Sequence, residues 1–64
     1  MKIIAKVFKD GVRCGSIMKF SAERHIDRRF RYVAKSGVVG HYFANFGDVV
    51  ENRKAAGMNV RMQA

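Results

Sequence analysis

The sequence predicts a small α+β domain of order ββαβαβ, with its helices on one face of an antiparallel or mixed sheet. Three observations lead there. Asp10-Gly11 separates two alternating runs, residues 2–9 and 12–19. Ser21 and Gly37 bracket a stretch with helical spacing, and Asn45 and Gly57 bracket a second.

The first pair of strands follows from its turn. Asp-Gly suits a two-residue hairpin because both positions take positive φ. Pairing Lys9 with Val12 aligns Val7 with Cys14, Ala5 with Ser16 and Ile3 with Met18, a small, apolar face for the core. The opposite face then carries Lys2, Ile4, Lys6, Phe8, Arg13, Ile17 and Lys19.

Residues 22–35, AERHIDRRFRYVAK, fit two periods. At about 100° per residue, Ala22, Ile26, Phe30, Val33 and Ala34 gather on one side of a helix. Arg24, Arg28, Arg31 and Lys35 gather opposite, with Asp27 among them and His25 and Tyr32 at the border. Ser21 caps such a helix, Glu23 and Lys35 suit its ends, and Gly37 stops it. As a strand, Phe30, Tyr32 and Ala34 oppose Arg29, Arg31, Val33 and Lys35, with Ser36-Gly37 as a second turn. The helix accounts for more positions and for both ends, and is the expected state.

Residues 38–45 read as a strand in which Gly40 marks a bulge or a close backbone approach. Asn45 with Asp48 resembles a capping box opening a helix over 46–56, which buries Phe46, Val49, Val50 and Ala56. Arg53 and Lys54 suit its last turn, and Gly57 ends it. Met58, Val60 and Met62 then alternate with Asn59, Arg61 and Gln63 as a final half-buried strand. Without proline, repeats or biased segments, residues 1–64 form one domain.

Composition narrows the classes. A chain this short buries only about 60% of its unfolded surface, so a homodimer, or folding against a partner, is within expectation. Thirteen Lys and Arg face five Asp and Glu, a net charge of +8. All but one unit of that excess lies in residues 1–37, which points to a polyanionic or acidic partner. The single Cys14 excludes an internal disulfide and fits a reducing compartment. No apolar run approaches the ~20 residues of a membrane span. Lys6 and Lys9 interrupt what would be the apolar core of a signal peptide. A cytoplasmic protein without a membrane partner is expected.

Two basic surfaces are candidates for binding. The first is the helix stripe Arg24, Arg28, Arg31 and Lys35, flanked by Tyr32 and His25, which could follow a row of phosphates. Arginine favours bidentate contact with phosphate or a guanine edge. The second is the hairpin face Lys2, Lys6, Phe8, Arg13 and Lys19, where an aromatic among cations is suited to a single strand. The two would point in opposite directions. Extended structure over 21–36 would instead move Arg29, Arg31 and Lys35 onto the sheet and bring the single-strand reading forward.

Catalysis is not indicated. His41 and Tyr42 alternate across a strand, and His25 and Asp27 do not face one another on a helix. No metal-ligand spacing, nucleophile with its base or cofactor motif is present. The expected function is a non-enzymatic protein binding DNA or RNA through the helix stripe. The competing expectation is a compact inhibitor or adaptor docked on an acidic surface of a larger protein, anchored by Phe8, Tyr32 or Tyr42.

Overall fold

Asp10 and Gly11 both take positive φ, 53° and 79°, and the first hairpin closes around them as their chemistry requires. The structure, a computed structural model, describes residues 2–20 and 29–62. The elements are β1 (Lys2–Lys9), β2 (Val12–Lys19), β3 (Phe30–Ala34), β4 (Val39–Phe43), α1 (Phe46–Ala55) and β5 (Asn59–Met62). All the strands belong to one sheet, ordered β4-β3-β2-β1-β5, and every neighbouring pair is antiparallel. The expected ββαβαβ order is therefore wrong. The fold is mostly β, with one short helix among the described residues.

The correction falls on residues 30–34, expected as the second half of a helix and found as β3. Without β3, β2 would leave a row of backbone donors and acceptors without partners. Pairing with β2 satisfies them from Gly15–Ala34 to Lys19–Phe30, and Phe20 N–H extends the ladder to Arg29 O at 2.7 Å. Tyr32 becomes a core residue in the process. Ala22, Glu23, Ile26 and Asp27 of the expected helix lie outside the described residues. The turn to β4 is the three-residue kind, with Gly37 at φ 94°, Gly37 N–H on Ala34 O and Ala34 N–H on Val38 O.

Two bulges in the first hairpin correct the register. Lys9 pairs with Val12 and Phe8 with Arg13 as the turn demands, but Val7 then faces Gly15 rather than Cys14. Ala5 accordingly faces Ile17, not Ser16, until a second shift at Ile4 restores Ile3 to Met18. Each extra residue reverses the alternation beyond it. Ile17, expected on the charged face, is fully buried as a result.

Ala5, Val7, Ile17 and Tyr32 form the core with Val49 of α1, which packs on their side of the sheet. Phe30, Phe43, Phe46, Val50, Met58 and Val60 surround them, half-buried. Asn45 occupies the N-cap position, yet its side chain donates to Asp48 Oδ2 at 3.4 Å instead of capping a backbone N–H. The expected capping box is thus not formed. The C-terminus is closed as the sequence predicts. Gly57, at φ 82°, lets its own N–H reach Lys54 O and that of Met58 reach Arg53 O, at 2.9 and 3.0 Å. Ala56 lies just past the helix and is exposed, not buried.

Candidate nucleic-acid interface

Alternation and pairing divide the side chains of the sheet into two unlike sets. One set lies under α1. The other, on the face away from α1, runs in three rows across the strands. Near the Asp10-Gly11 turn it holds Asn59, Phe8 and Arg13, then Arg61, Lys6, Ser16, Val33 and Val39. Ile3, Met18, Arg31 and Tyr42 complete it at the far end. No described strand contains an acidic residue. Asp48 and Glu51 are on α1, on the other side of the sheet. Among the described strand residues, the charges of this open face are therefore all cationic, and Ile3, Phe8, Met18 and Val33 beside them are half-buried.

Two of its aromatics are paired with guanidinium groups. Arg31 Cζ sits 4.1 Å from the ring centroid of Tyr42, held by Nε to Gly40 O at 3.1 Å and Nη1 to Tyr42 Oη at 3.2 Å. Gly40 supplies that carbonyl because β4 bulges between the residues facing Arg31 and Val33, as the glycine foretold. Phe20 meets the Tyr42 ring edge-on at 5.6 Å. At the opposite corner, Arg61 Cζ lies 5.3 Å from the Phe8 ring centroid, beside a depression of about 320 Å³ lined by Phe8, Gly11, Asn59, Val60 and Arg61. Between the corners, Arg13 Nη2 donates to Ser16 Oγ at 2.7 Å, while Arg13 Nε is buried without a partner.

The two expected binding sets are redistributed. Of the stripe, Arg31 is on the open face and Lys35 in the β3–β4 turn, so they do not continue a helix. Arg24, His25 and Arg28 lie outside the described residues. Tyr32 lies on the opposite side of the sheet from Arg31, in the core. It is 7% exposed on the helix side, its hydroxyl donates to Cys14 O at 3.2 Å, and the Arg53 guanidinium lies 4.6 Å from its ring centroid. Burial, reinforced by the Cys14 side chain, pushes its phenol up to about 12.

Of the hairpin set, Lys6, Phe8 and Arg13 share the open face. Lys2 and Lys19 face each other beyond the Ile4 bulge, on the side of Phe30 and α1. Arg61 and Phe20 were not among the expected contacts, and Tyr42 was expected only as an anchor for protein docking. The alternation of the last strand did mark Arg61 as outward, but nothing local in the sequence places it beside Lys6. His41 is exposed in β4. Among the described residues, no group of His, Cys, Asp and Glu could hold a metal ion, and no helix is long and apolar enough to cross a membrane.

No protein-family model matches the chain, and no curated protein or solved structure matches it either.

Proposed function

We propose that the protein binds single-stranded nucleic acid on the open sheet face. Lys6, Arg13, Arg31 and Arg61 attract the phosphates, and the Arg31–Tyr42 and Arg61–Phe8 pairs provide surfaces on which bases stack. The observation that carries the reading is the coincidence of two cation–aromatic pairs and four cations on a face whose strands have no carboxylate. A duplex is a poorer fit, because four strand spacings make the face about 19 Å across, wider than the ~12 Å major groove, whereas unstacked bases lie readily on a sheet.

Fluorescence anisotropy with a labelled single strand, over a range of salt, tests the proposal. Each phosphate contact contributes about −0.7 to the slope of log K against log salt, so three or four contacts give about −2 to −3. Affinity independent of salt, or preference for duplex over single strand, would overturn it. Docking on an acidic protein surface is the competing outcome. It is recognised when one partner is recovered at fixed stoichiometry from lysate cleared of nucleic acid.

A further inference from the structure

We infer, resting on the single-strand reading above, that the bound strand crosses the open face on a diagonal, stacking one base at Arg61–Phe8 and another at Arg31–Tyr42. The two pairs occupy opposite corners. Phe8 and Arg61 lie on β1 and β5 by the Asp10-Gly11 turn, whereas Tyr42 and Arg31 lie on β4 and β3 by Phe20. Phe8 and Tyr42 are three strand spacings apart across the sheet, and the residues facing Phe8 and Arg31 on β2 are Arg13 and Met18. Standard strand dimensions place the corners about 20 Å apart. Two adjacent stacked bases cannot bridge that distance, but a short run of nucleotides can.

The ground between the corners suits the backbone of such a run. Lys6 and Arg13 lie there with Ser16, Met18 and Val33, and no aromatic ring stands among them. Arg13 is tied to Ser16 Oγ, with a buried Nε that lacks an acceptor. At each corner the guanidinium plane is itself a stacking surface, so a base need not displace Arg31 or Arg61 from its ring. The occupant is therefore a flexible polyanion with planar groups spaced along it.

The test is a length series of oligothymidylates, from about two to about eight nucleotides, titrated at fixed low salt into the wild-type chain, Phe8→Leu and Tyr42→Leu. Leucine keeps the apolar bulk of these side chains and removes the flat ring, and circular dichroism verifies that each variant is folded. Wild-type affinity is expected to step upward by about 5- to 150-fold once the strand reaches both corners. Either substitution is expected to remove the step while leaving the shortest strand nearly unaffected. Amide shift mapping with a long strand provides a second measurement, expected to move Phe8, Arg61, Arg31 and Tyr42 together. A smooth rise with length, a step that survives both substitutions, or shifts confined to one corner would overturn the diagonal path alone. No binding at any length would remove the parent reading with it.

Discussion

The ring of Tyr32 on β3 lies across Gly15 on β2, close enough that no side chain fits beneath it. A Cβ at Gly15 would stand 2.5 Å from Val33 O and 2.6 Å from Tyr32 Cε1. Absence of a side chain is thus what lets the largest core residue cross its neighbour strand and reach Cys14 O. Gly15→Ala is expected to cost about 1–3 kcal/mol through forced displacement of ring or backbone. In a domain of this size each kcal/mol lowers Tm by about 4–8 °C. A thermal melt indistinguishable from wild type would contradict the placement of Tyr32.

The phenol itself gives a pH signature. Tyr32 is held near 12 in the folded chain against 10.0 when unperturbed. A raised folded value means that this contribution to stability is complete below about pH 10 and is lost as pH rises towards about 12. Tyr32→Phe removes one hydrogen bond, worth about 1 kcal/mol at neutral pH, and removes the ionisation too. Denaturant midpoints of the two proteins are expected to converge between pH 10 and pH 12. A constant gap across that window would show that Tyr32 is not buried as described.

Charge on the two sides of the sheet is expected to have unequal effects on nucleic-acid affinity. Arg31→Ala and Arg61→Ala each reduce the magnitude of the single-strand salt slope by about 0.7, the signature of one lost phosphate contact. Lys54→Ala, which removes the same formal charge from the helix side, leaves the slope unchanged. Equal slopes for all three would indicate that net charge alone drives association.

Val49 is the only residue of α1 that is completely buried. Val49→Ala is expected to destabilise the chain by about 2 kcal/mol, from lost apolar contact and the cavity left behind. Val12, 69% exposed at the hairpin, is expected to change stability by less than about 0.5 kcal/mol on the same substitution. Urea midpoints measure both. Similar losses would place the helix elsewhere.

The elements that carry their own punctuation were legible in the sequence. Asp10-Gly11 announces the hairpin, Gly57 ends the helix, and Gly40 marks the β4 bulge, because each answers to a local backbone demand. Residues 30–34 were not legible for the opposite reason. Phe30, Tyr32 and Ala34 satisfy period two as well as Phe30, Val33 and Ala34 satisfy the helical period, and the deciding partner, β2, is distant in sequence. The bulges at Cys14 and Ile4 leave no compositional trace, so unbroken alternation sent Ile17 outward and Lys19 to the wrong side. Of the interface, Lys6, Phe8, Arg13 and Arg31 were visible as candidates. Their union with Tyr42 and Arg61 exists only once β4 and β5 flank the hairpin pair.

The sorting of charge between the two sides has an effect that begins before contact. Among the described residues, Lys6, Arg13, Arg31 and Arg61 stand on the side away from α1 without a strand carboxylate, whereas Asp48 and Glu51 offset Arg53 and Lys54 on α1, so the positive excess is larger on the sheet side. In the field of a polyanion the molecule experiences a torque as well as a pull. In the binding proposed above, it would arrive sheet foremost, already turned to the orientation in which its rings can be used.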